Sequence, residues 1–302
     1  MQKLGRYVLA DMLGAGSFAT VWKAYDAGLD TDVAVKVLAD NWAANADVRE
    51  RFLAEARLLR RIASPRVVRV HDVGVQEGRP FFVMDYVRGG TLAERIGRCG
   101  PGEALRLAAE AAYAVEVLHG AGVVHRDVKP SNLLLDTART PPGVLVADLG
   151  SAKQLADASG LTVTTGTPAY MAPEQAFGAG GFDGRADVYA LGVVAFELLT
   201  GRKPFGLGGR TTLTPEEAAA SVPPRLPGEL AVPPGVDAVL RAALSVDPAH
   251  RPCTAREFAD ALLSPDSTRW AHRPPARRTR LAVWTAAVAL FALTTALTWL
   301  LR

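Results

Sequence analysis

Between residues 125 and 132 the chain reads His125-Arg126-Asp127-Val128-Lys129-Pro130-Ser131-Asn132, followed by the apolar run Leu133-Leu134-Leu135. A carboxylate, a cation and an amide stand at fixed offsets just ahead of a strand-like segment. Moving a phosphoryl group needs those three parts. A carboxylate orients the attacking hydroxyl, a cation offsets charge on the moving group, and an amide oxygen helps hold Mg²⁺. A single Asp in a loop is more often a turn or cap residue. Asp127 reads otherwise because Lys129 and Asn132 keep the required spacing.

The second oxygen ligand follows from hairpin geometry. Leu133-Leu134-Leu135 and Val144-Leu145-Val146-Ala147 read as two short strands joined by the loop 136–143. An antiparallel return sets the start of the first beside the end of the second. Asn132 and Asp148 sit at those two ends, so an amide oxygen and a carboxylate are expected to meet. Hard oxygen ligands of this kind suit Mg²⁺.

A third group lies far upstream. Lys36 lies within the alternating run Val33-Ala34-Val35-Lys36-Val37-Leu38 and shares its strand face with Ala34 and Leu38. An ammonium among apolar neighbours needs an anion. Residues 47–62 read as a helix with Phe52, Leu53, Ala56 and Leu59 on one face. Glu55 lies beside that stripe and Glu50 opposite it, so Lys36–Glu55 is the expected pair. Gly14-Ala15-Gly16 joins two further strand-like runs, Tyr7–Leu9 and Val21–Tyr25. A lone Gly-x-Gly is more often just a hairpin turn, but glycines also let backbone N–H groups approach phosphates.

The elements that must position these groups change character near residue 87. Strand-like runs, continuing at 67–73 and 81–86, surround the single helix before that point. Gly89-Gly90 breaks the pattern, and Ala- and Leu-rich helical segments dominate from Leu92.

Taken in order, these motifs resemble those of protein kinases over about residues 7–263, and in detail the eukaryotic-like serine/threonine kinases of bacteria. The set comprises Gly14 and Gly16, Lys36, Glu55, Asp127, Asn132, Asp148-Leu149-Gly150, the Ala-Pro-Glu motif ending at Glu174, and Asp187. The chain carries Ala19 where the family has a third loop glycine, and Leu149 where it has Phe. The resemblance implies an α+β, bilobal fold: a β-rich small lobe over 1–86 and a helical large lobe over 87–263. It implies ATP and Mg²⁺ as cofactors, with protein Ser/Thr hydroxyls as acceptors. Asp127, Lys129, Lys36, Glu55 and Thr167 would be catalytic, and Asn132 and Asp148 would be metal ligands. The nucleotide pocket would be lined by Leu13, Gly14, Gly16, Val21, Ala34, Lys36, Met84, Asp85, Val87 and Leu134, with Met84 as gatekeeper and 85–87 as hinge. Lys129, two residues after Asp127, is the serine/threonine-kinase arrangement. Arg126 resembles kinases whose activation segment, here 148–174, is ordered by phosphorylation. Ser159, Thr162, Thr164 and Thr165 are the candidate acceptors. Asp187 would hold the catalytic loop, and Arg251 would pair with Glu174. A non-catalytic scaffold and a small-molecule kinase are the alternatives. The first has only Ala19 and Leu149 in its favour, and the second generally lacks the 167–174 segment.

Composition fits a globular enzyme with an apolar appendage. The chain has 302 residues, 49% hydrophobic and 22% charged, with a net charge of +3. That charge is too small and too dispersed for a dedicated nucleic-acid binder. Cys99 and Cys253 are far apart, so neither a disulfide framework nor a zinc site is expected. No secretory signal is evident at the start. Residues 281–301 contain no charged residue. As a helix they would extend about 30 Å, the thickness of a bilayer core. Trp284 and Trp299 lie near its two ends. Arg269, Arg273, Arg277, Arg278 and Arg280 precede it in a Pro- and Arg-rich linker, 264–280, and only Arg302 follows. The positive-inside rule then puts the preceding chain in the cytoplasm of a single-pass membrane protein, with no sensor domain beyond the span. Pairing of kinase domains would be helped by Ala286, Ala287 and Ala289 in that span.

Overall fold

A computed structural model describes residues 3–149, 168–176, 183–205 and 222–265. Near the start, β1 (Lys3–Leu4), β2 (Tyr7–Ala15), β3 (Ala19–Asp26) and β4 (Thr31–Leu38) are followed by a single turn, α1 (Asp40–Ala43), and by α2 (Ala46–Arg61). β5 (Val70–Gln76) and β6 (Arg79–Asp85) complete a six-stranded antiparallel sheet in the order β1-β2-β3-β4-β6-β5. β4 lies inside the sheet, which is why its residues from Val33 to Leu38 are buried on both faces. Val33, Val35 and Val37 join Tyr7, Leu9, Phe81 and Val83 in one cluster. Ala34, Leu38, Phe82 and Met84 face the other way, into the main core with α2.

α2 forms because its start and end are both provided for. The Asn45 side chain accepts from Val48 N at 3.1 Å, and Arg60 and Arg61 complement the dipole in the last turn. Its buried face is Val48, Phe52, Glu55, Ala56 and Leu59. Leu53, expected on that face, is only partly buried, and Glu50 is exposed. The expected strand over 67–73 begins instead at Val70. The backbone before it pairs elsewhere: Val68 N donates to Val146 O at 3.0 Å, and Val146 N donates to Arg66 O at 2.9 Å. That segment therefore ties the sheet to the second half of the molecule.

The second half is helical around one hairpin. α3 (Pro101–Gly120) buries Ala104, Leu107, Ala108, Ala111 and Val115 among others. β7 (Leu133–Asp136) and β8 (Gly143–Val146) pair antiparallel with Leu133 opposite Val146. The described helices after them are the short α4 (Pro173–Ala176), α5 (Arg185–Thr200), α6 (Val236–Ala243) and α7 (Ala255–Leu263). Every residue of α5 from Ala186 to Leu199 is buried, and α3, α6 and α7 pack around it. It stops at Gly201, whose φ of 72° is the left-handed conformation glycine takes without cost. Among the described residues, no helix is long and apolar enough to cross a membrane. Residues 281–301 lie outside them.

Candidate active site

Lys36 sits on the face expected from alternation. It is 7% exposed, opposite Val21 on β3 and Phe82 on β6. Its ammonium lies 5.4 Å from the Phe82 ring centre and 5.8 Å from that of Phe52. Apolar walls of this kind are hostile to a lone charge, and two carboxylates answer it. Nζ donates to Glu55 Oε1 at 2.9 Å and also forms an ion pair with Asp148. Burial works against the ammonium, but the fields of Asp148 and Glu55 prevail and raise its pKa. With one cation between two carboxylates, the deeper one is penalised. Burial pushes Glu55 up to about 7, Lys36 offsets only part of that, and Asp148 adds repulsion. Desolvation would raise Asp148 too, but its contact with Lys36 holds it below the ordinary carboxylate range.

Asp127 stands at the centre of the 125–132 loop. Lys129 Nζ donates to Asp127 Oδ2 at 2.8 Å. Asn132 Nδ2 donates to Asp127 O at 2.9 Å and to Oδ2 at 3.3 Å, which turns its Oδ1 away from Asp127. Ala147 N donates to Asn132 O at 2.9 Å. The β7–β8 register therefore carries Asn132 and Asp148 to neighbouring positions at one end of the hairpin, as the strand pairing requires. Asn132 Oδ1 and the Asp148 carboxylate make a hard-oxygen donor set, which fits Mg²⁺ in chemistry.

The loop is held in an uncommon conformation. Arg126 has φ of 69° and Asp148 φ of 59°, both left-handed. Asp187, 1% exposed on α5, accounts for the first. Its Oδ1 accepts from Arg126 N at 2.9 Å, and its Oδ2 accepts from His125 N at 2.8 Å. His119 Nε2 also lies 2.8 Å from Oδ2. Three contacts on one buried carboxylate lock the backbone around the left-handed residue. The buried His125 ring completes the bracing. Nδ1 accepts from Asp127 N at 3.3 Å and Nε2 stands 3.2 Å from Ala147 O, which assigns the proton to Nε2.

The β2–β3 hairpin places the glycines. Gly14 pairs with Val21 and Ala15 with Thr20, and Gly16 N donates to Ala19 O at 2.9 Å. Ala34 lies opposite Met84, both buried, and Leu134 bridges to Thr91. Leu13 is 47% exposed. The N–H of Asp85 is engaged by Arg69 O at 3.1 Å. Its side chain meets His71 Nε2 at 2.6 Å. Val87 is partly buried against the main core. Thr167, Ser159, Thr162, Thr164 and Thr165 lie outside the described residues.

Downstream, Arg251 is fully buried and forked onto Glu174, with Nη1–Oε1 2.6 Å and Nη2–Oε2 2.8 Å. Its remaining donors reach Ser245 O, Arg185 O and Val246 O at 2.8, 2.9 and 3.1 Å. This fork anchors the segment that closes with Ala-Pro-Glu. Sequence reasoning missed His119, Gln175 and Gly184. Gln175 Nε2 donates to Arg126 O at 2.7 Å. A Cβ on Gly184 would lie 2.8 Å from the His119 ring. Only the glycine itself was a signal, and its partner is 65 residues away.

Comparison with known proteins agrees with this geometry. The protein kinase domain family matches residues 7–264. The serine/threonine-protein kinase PknA of Mycobacterium tuberculosis is 38% identical over 283 residues, covering 90% of this chain and 63% of PknA. Serine/threonine-protein kinase PrkC of Bacillus subtilis is 35% identical over 262 residues, covering 84% of this chain and 39% of PrkC. This chain thus spans between about two fifths and two thirds of those relatives' lengths. The crystal structure of the Mycobacterium tuberculosis PknI kinase domain superposes with a TM-score of 0.64 at 30% identity. It covers 87% of this chain and 97% of the PknI domain. The β-rich sheet and the helical half around α5 are the two lobes of that fold, and the chain belongs to the protein kinase domain family.

Proposed function

We propose that this protein transfers the γ-phosphoryl group of ATP, with Mg²⁺, to serine and threonine hydroxyls of proteins. One observation carries the reading. Lys36 on β4, Glu55 on α2, Asp127, Lys129 and Asn132 on one loop, and Asp148 after β8 come together although up to 112 positions separate them. Asp127 orients the acceptor hydroxyl and takes its proton as the new O–P bond forms and the bond from the γ-phosphorus to the β–γ bridging oxygen breaks, releasing ADP. Lys129, hydrogen-bonded to Asp127, offsets charge on the transferring group. Lys36 holds the nucleotide phosphates, and Glu55 fixes where Lys36 points. Asn132 and Asp148 would hold Mg²⁺, whose charge would stabilise the phosphate oxygens. The adenine would lie between Ala34, Val21 and Leu134, against the carbonyl of Asp85 and the N–H of Val87. A non-catalytic scaffold is not favoured, because Lys36, Asp127, Asn132 and Asp148 all speak against it.

The reading divides the chain into a small lobe over 1–86, a large lobe over 87–263, a linker over 264–280 and a membrane span over 281–301. The relatives' kinase names, the uncharged 21-residue run and the arginines before it support a cytoplasmic kinase held at the cell membrane. Autophosphorylation would fall on Ser159, Thr162, Thr164 or Thr165, with Thr167 contacting the catalytic loop. The full chain incubated with labelled ATP and Mg²⁺ tests the chemistry. Label is expected on Ser or Thr of the chain and of a generic basic protein, and Asp127→Ala should lose it. Equal labelling by wild type and Asp127→Ala would sink the enzyme reading. Membrane attachment predicts pelleting with membranes that is lost on deleting 281–302; a full-length chain that stays in the supernatant ends that part.

A further inference from the structure

The tip of the glycine loop is fastened to α1. Trp42 Nε1 donates to Ser17 O at 2.9 Å. The Trp42 ring stacks on Phe18, with centroids 5.0 Å apart and planes at 28°. Ala39 N donates to Phe18 O at 2.9 Å. Trp42 is 7% exposed and belongs to the same core cluster as Ala34, Leu38 and Phe52. A buried tryptophan is commonly core filling and no more. Here its one polar atom goes to a carbonyl 25 positions away, at the tip of the loop beside the nucleotide pocket.

The orientation of the tethered peptides gives the contact a consequence. In a trans peptide the N–H points opposite to the C=O. Turning Ser17 O toward Trp42 therefore turns Phe18 N–H away from α1. Turning Phe18 O toward Ala39 does the same for Ala19 N–H. Two successive N–H groups facing one side form a concavity that receives anionic oxygens. We propose that Trp42 is a positioning residue that presets the Phe18 and Ala19 amides for the phosphate chain of the nucleotide. The inference rests on the ATP reading above. It also gives Ala19 a context: with the loop pinned at three points, the backbone freedom of a third glycine is less needed. Because α1 directly follows the Lys36 strand and precedes the Glu55 helix, the clasp links the phosphate-facing loop to both.

Calorimetric titration of the full chain with MgATP and, separately, with adenosine tests this. Losing one hydrogen bond of this kind predicts that Trp42→Phe, which keeps the ring stack, weakens MgATP about two- to tenfold. Adenosine, which has no phosphates, should bind Trp42→Phe as it binds wild type. Phe18→Leu, at a partly exposed position, should show the same selectivity and serves if Trp42→Phe does not fold. MgATP affinity unchanged in the variants, or affinity for both ligands falling by one factor, overturns the proposal. So does a wild type that binds MgATP no more tightly than adenosine. Label transfer by wild type against Asp127→Ala is read in parallel, so failure of the kinase chemistry is seen apart from failure of the clasp.

Discussion

Asp187→Asn is the perturbation whose outcome follows most directly from the geometry. The carboxylate of Asp187 uses both oxygens: Oδ1 for Arg126 N, Oδ2 for His125 N and His119 Nε2. Asparagine keeps the shape but only one oxygen. If that oxygen stays with His125 and His119, the new NH₂ faces Arg126 N–H, donor against donor. A charge-assisted bond is lost at a buried site, at about 2–3 kcal/mol, or roughly a 30- to 150-fold shift in equilibrium. The cost falls on the residue least able to bear it, since Arg126 at φ of 69° is held left-handed against its own preference. The loop 125–132 should therefore relax while β4 and α2, which carry Lys36 and Glu55, stay in place. Steady-state transfer of labelled phosphate should show kcat down by about tenfold or more, with KM for ATP little changed. Urea unfolding should show lower stability. Adding Arg126→Gly to Asp187→Asn removes the backbone strain and should return about 1 kcal/mol of stability. An Asp187→Asn protein with wild-type kcat and unfolding midpoint would refute the reasoning. So would a loss of ATP affinity with kcat intact, because it would place the damage in the wrong half of the site.

Three further outcomes are expected. Glu55 titrates near 7 in the folded chain against an ordinary value of 4.5. The folded state thus holds that proton more tightly than the unfolded one, and this group's contribution to stability declines as pH rises from 4.5 to about 7. kcat/KM for ATP should rise across the same upper limb as the Lys36–Glu55 pair becomes ionic; Glu55→Gln should flatten both trends, and profiles matching wild type would contradict them. Arg251→Met strands the Glu174 carboxylate and should cost about 3 kcal/mol by urea unfolding. The low end of the range applies because Glu174 is 20% exposed and can rehydrate. Gly89→Ala would drive its Cβ into the backbone carbonyl of Leu135. About 3 kcal/mol of destabilisation is expected by the same measurement, and a stable variant would mean that β7 can move aside.

How much of this was legible beforehand varies with the length scale of the interaction. Alternation along 33–38 put Lys36 on a face with Ala34 and Leu38, and helical spacing put Glu55 beside the core. Both are local periodicities, and one buried charge demands another, so the pair could be named from the residues. The proximity of Asn132 and Asp148 was equally local, a consequence of a short antiparallel return. Motif order carried the family. The strand beginning at Val70 was misjudged because its apolar residues look alike whether they pair with β6 or with the far hairpin. Leu53 was misjudged because a stripe of apolar residues does not say how wide its partner surface is.

What the tertiary structure alone decided is who meets whom across long separations. No pattern in the sequence ties His119 and Gly184 to each other, or sets Asp148 on Lys36 so that Glu55 is left as the carboxylate that protonates first. Nor does an arginine or an aspartate announce a left-handed backbone, as a glycine would. Arg126 and Asp148 adopt it because partners on other elements fix the chain around them. Trp42 makes the point most clearly. Its composition promises only burial, and the bond from its indole to Ser17 exists because the sheet folds the glycine loop back over α1. Residue type and spacing thus determined which groups are present and which faces they share. Packing determined their angles and partners, because hydrogen bonds between distant segments depend on where the backbone has been carried, and not on what precedes or follows them in the chain.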